Sequence, residues 1–251
     1  MKIHKKSTPF ETVQTLDEWK NEFPPQGGDL HWKEGRSAME TAKHWLNGIP
    51  KEFVNILKCF QFQYDSLYPE HITIFDEYKG NGRNHDLLIL ATDQQNDKVV
   101  ISVESKVDEP FDKQIGPYLA KIKLKKAKGE KSNADFRIEK LKLAICPNVK
   151  REVFELLQYQ LLSAIAGTLV EAKKQGAKKA IFLLQTFISL NMDQKKHQKN
   201  QQDLDCFLNA ISNGKHCNIQ DNELFGPFRF AGNEFIPSDV ELWIGKYSID
   251  I

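Results

Sequence analysis

Asp86, Glu104 and Lys106 are the residues of this 251-residue chain whose types and spacing point most directly to chemistry. Glu104 and Lys106 stand two apart at the end of an apolar, β-branched run, Val99-Val100-Ile101-Ser102-Val103. On a strand, their side chains leave the same face. Asp86 opens a second apolar run, Leu87-Leu88-Ile89-Leu90. If the two runs pair as a hairpin, Asp86 and Glu104 meet at the edge remote from its turn. Two carboxylates brought together repel, and a shared proton or a divalent cation relieves the repulsion. A cation held by two carboxylates and waters activates water against a phosphodiester, with the Lys106 ammonium placed to stabilise developing charge or to position the water. The residues alone leave a second reading open, in which Glu104 and Lys106 form an exposed pair and Asp86 caps a turn. Glu-x-Lys also occurs at Glu18–Lys20, Glu77–Lys79 and Glu171–Lys173, so context, not the tripeptide, selects Glu104. Glu18–Lys20 precedes a Pro/Gly break, Glu77–Lys79 lacks a partner acid, and Glu171–Lys173 reads as a solvated pair on a helix.

The elements that must position these residues follow from periodicity. Residues 1–35 read as irregular, with a break at Pro24-Pro25-Gln26-Gly27-Gly28. Ser37-Ala38-Met39-Glu40 has the capping-box pattern and opens a helix carrying Met39, Ala42, Trp45 and Leu46. A second helix starts near Pro50, with Phe53, Ile56, Leu57 and Phe60 on one face. Strands follow at 71–75, 87–90 and 99–103, the middle one apolar at every position and therefore buried on both faces. Gly116-Pro117 reads as an interruption, and Phe136, Ile138, Leu141 and Ile145 as a further helix ending at Pro147. One long helix is expected over 152–174, ended near Gly176, and then a buried strand at 180–184 that returns beside the meander by a crossover. Residues 191–201 read as a loop, 204–211 as a helix and 240–247 as a last strand. This predicts an α/β fold with an N-terminal extension (1–35), a core (36–190) carrying a lysine-rich insertion at 111–146, and a C-terminal extension (191–251) packed on the core.

A helix, three strands, a helix and a strand, with Asp opening one strand and Glu-x-Lys closing the next, resemble the PD-(D/E)xK nuclease superfamily over residues 36–187. Within that span Trp32-Lys33-Glu34-Gly35-Arg36-Ser37, His85-Asp86-Leu87-Leu88, Val103-Glu104-Ser105-Lys106-Val107-Asp108-Glu109-Pro110-Phe111 and Tyr159-Gln160-Leu161-Leu162 look like a bacterial branch grouped with the nucleases by its motif. The resemblance implies a restriction-endonuclease-like core, Asp86 and Glu104 as metal ligands and Lys106 as the catalytic lysine. It also implies an acid from the first core helix, for which Glu40 is the matching residue, although capping alone accounts for Glu40. His85 stands where the pattern has Pro. Gln114-Ile115-Gly116-Pro117-Tyr118 matches the Q-x-x-x-Y pattern of exonuclease-type members, but Gly116-Pro117 argues against the continuous helix that pattern needs. Gln160 is either a solvated amide or a donor lining the site.

The charge balance, 35 Lys plus Arg against 34 Asp plus Glu, is near neutral, yet the charge is segregated. Seven lysines lie between Lys113 and Lys131 against one acid, Glu130. Lys121, Lys123, Lys125 and Lys126 are the candidates to track phosphates with salt-dependent, sequence-independent affinity; as a solvated face they need no partner. Gly80-Asn81-Gly82 lacks the lysine and hydroxyl of a nucleotide-binding loop, and no stacking platform or recognition helix is evident. The four cysteines have no metal-ligand spacing. No leader or membrane span is evident, so the expected setting is cytoplasmic and off the membrane. The expectation is a divalent-metal-dependent nuclease using Mg2+ or Mn2+, with DNA foremost as partner and a homodimer as a further assembly. The alternative is a non-catalytic nucleic-acid-binding or protein-interaction module that keeps the nuclease scaffold.

Overall fold

Strand pairing follows from the apolar runs. The computed structural model describes residues 3–251, with six strands: β1 (Gln63–Thr73), β2 (Arg83–Thr92), β3 (Lys98–Lys106), β4 (Lys179–Ile188), β5 (Glu223–Phe228) and β6 (Glu241–Asp250). They form one mixed sheet in the order β1-β2-β3-β4-β6-β5. The first three make an antiparallel meander, β4 lies parallel to β3, β6 lies parallel to β4, and β5 closes the far edge antiparallel to β6. β1 starts well before the expected residue 71, and its Pro69 is tolerated because the strand is an edge.

Eight α-helices cover the two faces: α1 (Leu16–Glu22), α2 (Ser37–Leu46), α3 (Lys51–Ile56), α4 (Ile115–Ala127), α5 (Ala134–Ile145), α6 (Arg151–Phe154), α7 (Tyr159–Gln175) and α8 (Gln194–Ile211). Strand residues alternate between two cores. Leu87, Ile89, Ile101, Ile181 and Leu183 pack with Trp19, Trp45 and Phe53 of α1–α3. Leu88, Val100, Phe182, Leu242 and Ile244 pack with Ile122, Ile138, Ile165 and Phe207 of α4, α5, α7 and α8. The result is an α/β fold in three layers, its central strands buried on both faces as their unbroken apolar runs require. No helix among the described residues is long and apolar enough to cross a membrane.

Several expected boundaries are corrected. Residues 1–35 contain α1, opened by a capping box between Thr15 and Glu18. Ser37 does not cap α2: the helix starts at Ser37, whose backbone N–H donates to Glu109 (2.9 Å), while Glu40 accepts from the Gly35 N–H (2.8 Å). Gly116-Pro117 lies in the first turn of α4, where proline's missing N–H has no intrahelical partner to lose. The expected helix over 152–174 breaks after α6, because carbonyls in the break serve another helix. The N–H groups of Ile115 and Gly116 donate to Leu157 O (2.9 Å) and Glu155 O (2.8 Å), and Tyr159 N donates to Lys113 O (2.8 Å). These bonds set the starts of α4 and α7 side by side. Gly176, at φ +69°, ends α7 in the left-handed region that suits glycine. The polar stretch at 191–201 is the opening of α8, capped by Asp193 and burying Asn200, Asp203, Leu204 and Phe207. β5 was not foreseen, and the C-terminal residues supply two strands to the common sheet.

Candidate active site

The last matched pair between β2 and β3 is Leu87 with Val103. One residue further on, Asp86 and Glu104 stand beside each other at the end of the hairpin remote from its turn, as the hairpin argument expects. Asp86 Oδ2 accepts from the Ser105 N–H at 2.6 Å. Glu104, only 2 % exposed, receives three donors. Lys106 Nζ lies 2.7 Å from Oε1, Gln160 Nε2 at the start of α7 donates to the same oxygen at 2.6 Å, and Arg83 donates to Oε2. Lys106 is buried too, its ammonium 5.4 Å from the Phe111 ring centroid. Residues from two strands and a distant helix therefore converge on one carboxylate.

A break in strand alternation brings in a third acid. Leu67, Leu87 and Ile89 face the core under α1–α3. Further along the same pair of strands, Thr73 and His71 instead contact Glu171 of α7 (2.8 and 3.3 Å), and Arg83 and His85 crowd Gly167 of α7. The faces exchange at Glu70, whose φ of +48° is unfavourable for a residue with a Cβ. Glu70 accepts from the Asn84 side chain and lines the same cleft as Asp86 and Glu104. The strain thus falls where the acids gather. Glu171 is not the solvated partner of Lys173: it is buried, and its hydrogen bonds from His71, Lys174 and Thr73 outweigh burial and hold it at about 2.

The acids respond to one another. Burial, then the charges of Glu104 and Glu70, push the Asp86 carboxyl well above the usual range. Burial raises Glu70 to about 7, with Asn84 opposing the shift and Glu104 adding to it. Burial works against the charged form of Glu104 as well, but Arg83 and Lys106 outweigh it and hold Glu104 below its ordinary value. The floor therefore carries one firmly charged carboxylate beside two that resist ionisation.

These groups line a cleft of about 910 Å3, bounded by the loop between β1 and β2, the starts of α2, α4 and α7, and the segment around Gln26–His31. Its lining also includes Tyr118, Tyr159 and Phe75, with the Arg137 guanidinium fixed by Asp76 (2.5 and 3.0 Å). Tyr118 and Tyr159 meet edge to face, with centroids 5.7 Å apart.

Of the predicted site residues, Asp86, Glu104, Lys106 and Gln160 come together. Glu40 is buried on α2, its Oε1 taken by the Gly35 N–H and by Lys43 (3.0 Å), away from the cleft lining. Lys121, Lys123, Lys125 and Lys126 lie on α4 beyond Tyr118; Lys126 pairs with Asp135 and Lys125 with Glu130. Lys121 and Lys123 are exposed and form no ion pair among the described residues. Glu77 is taken up by Lys140 outside the cleft. Glu70, Arg83, Arg137 and the pairing of Tyr118 with Tyr159 are not evident from the sequence, where Tyr118 enters only through Q-x-x-x-Y.

The side chains that could hold a divalent cation are two carboxylates of the floor, Asp86 and Glu104. Among the described residues no three His, Cys, Asp or Glu side chains are grouped to hold an ion by themselves. Magnesium, however, is commonly held by one or two carboxylates with waters and substrate phosphate oxygens completing its shell. Asp86 and Glu104 are the two carboxylates that could contribute to such a shell, Glu104 being already bonded by Lys106, Gln160 and Arg83, and the opposition to ionising Asp86 is what a cation would relieve. No curated protein and no solved structure matches the chain. Residues 12–251 match the family described as a domain of unknown function, DUF6946, and the chain belongs to that family.

Proposed function

We propose that this protein is a divalent-metal-dependent phosphodiesterase acting on nucleic acid, DNA foremost, on a core of the PD-(D/E)xK type. The observation that carries the reading is the convergence of Lys106 and Gln160 on one oxygen of Glu104, with Asp86 beside it at the end of the hairpin. The succession α2–α3, β1–β2–β3, α7 and β4, with β4 parallel to β3, supports the core assignment.

Asp86 and Glu104 would hold Mg2+ or Mn2+, which supplies Lewis acidity and a water of lowered pKa. Gln160 fixes the Glu104 side chain so that its geometry is set before substrate arrives. Lys106, buried against Glu104, would bring a positive charge to the phosphate undergoing attack, where it counts for more than at the surface. Arg83 supplies a second cation on the floor. Lys121 and Lys123 would track the backbone outside the cleft, adding salt-sensitive affinity without reading sequence.

One observation favours the alternative of a non-catalytic binding scaffold: Arg83 already neutralises Glu104, as a cation would. Cleavage separates the two. Purified protein with Mg2+ or Mn2+ is expected to shorten labelled DNA, and EDTA is expected to stop it. DNA binding that survives chelation, with no cleavage under any metal, would establish the scaffold reading instead.

A further inference from the structure

Glu104 and Lys106 lie buried on the floor of the cleft, with Asp86 and Glu70 half-buried beside them. Glu104 is 2 % and Lys106 6 % exposed. The cleft volume of about 910 Å3 is that of a pocket for a small ligand, not of a channel for a double helix. A phosphodiester within a continuous duplex keeps its bases stacked and paired on one side, so it cannot descend to this floor. A single strand can, provided that its unstacked bases find new partners on the way.

Such partners line the same cleft. Tyr118, one turn into α4, and Tyr159, the first residue of α7, form an edge-to-face pair and are both half-buried. Their placement is rigid, because the backbone bonds between residues 113–116 and 155–159 lock the two helix starts together. One face of the Tyr118 ring carries the ammonium of Lys113, 5.0 Å from the centroid; that side chain is about half exposed and paired with Asp112 at the surface. A base taking that face exchanges one favourable contact of the ring for another, and leaves the lysine free to meet the adjoining phosphate.

We infer that the cleft takes single-stranded nucleic acid, with a base stacked on Tyr118 and the neighbouring phosphate lowered to Glu104 and Lys106. The inference rests on the phosphodiesterase reading for its orientation but has its own readout. In a Glu104→Gln background with Mg2+, fluorescence anisotropy compares a labelled oligothymidylate with a blunt duplex of equal length. The single strand is expected to bind at least about tenfold more tightly. Tyr118→Leu keeps apolar bulk against the core and is expected to weaken that binding by about tenfold, whereas Tyr118→Phe keeps the ring and the affinity. Equal affinity for the duplex, or a Tyr118→Leu protein that binds the single strand as well as its parent, overturns the inference. Cleavage by the unsubstituted protein is scored separately. Loss of the strand preference with cleavage intact leaves the hydrolase standing, and absence of cleavage with the preference intact leaves the stacking site standing.

Discussion

Lys106→Met is expected to lower metal-dependent cleavage by about 10²–10³-fold while leaving the thermal midpoint nearly unchanged. The size is that of removing one preorganised charge-stabilising group from an active site. Methionine keeps an unbranched chain beside Phe111, so packing is retained and only the ammonium goes. The carboxylate it leaves is not orphaned, because Arg83 and Gln160 still bond Glu104. Glu104→Gln is expected to abolish cleavage as well, but with a loss of stability, because two buried cations then face a neutral amide. Cleavage assays with thermal melts of both variants separate a chemical from a structural role. A Lys106→Met protein that cuts at the parental rate would remove the lysine from the mechanism.

Gly167→Ala is expected to destabilise the fold by about 1–3 kcal/mol, against the usual rule that alanine favours a helix over glycine by about 1 kcal/mol. A Cβ built at Gly167 falls 2.7 Å from His85 Nε2 and 2.9 Å from Arg83 Cγ. His85 is fully buried, and burial, aided by the Arg83 and His71 charges, keeps its ring well below the usual range, so it is neutral and packed. A buried ring on a strand packed under α7 withdraws only by shifting its neighbours. Arg83 is the residue that reaches Glu104, so the displacement reaches the site, and cleavage should fall with stability. For a chain of this size the melting midpoint should drop by several degrees. A raised midpoint would show that helix propensity dominates and that the contact between α7 and β2 yields easily.

The parts of the site that were legible in the sequence are the local ones. Residues two apart on a strand share a face, and two apolar runs around a short polar turn make a hairpin, so Asp86, Glu104 and Lys106 could be placed together without knowledge of the rest. Glu70 could not, because its position depends on a face exchange within β1 that alternation does not reveal. The tyrosine pair joins residues from two helices whose starts are locked by backbone bonds between distant segments. The same bonds explain why periodicity from 152 to 174 suggested one helix where there are two. Lysine and glutamine hid the opening of α8 because they cover its solvent face, while the apolar positions further along, over 204–211, read as helix. Pro117 misled for a related reason: proline breaks a helix interior but suits its first turn.

In the proposed site Asp86 and Glu104 share one divalent cation. Asp86→Asn is the cleanest probe, since an amide oxygen can still accept from the Ser105 N–H while the charge that burial and Glu104 oppose is removed. Calorimetric titration with Mn2+ is expected to give a single binding event in the unsubstituted protein and none in Asp86→Asn, whose melting midpoint should be equal or higher. The same affinity and stoichiometry in both proteins would contradict the assignment.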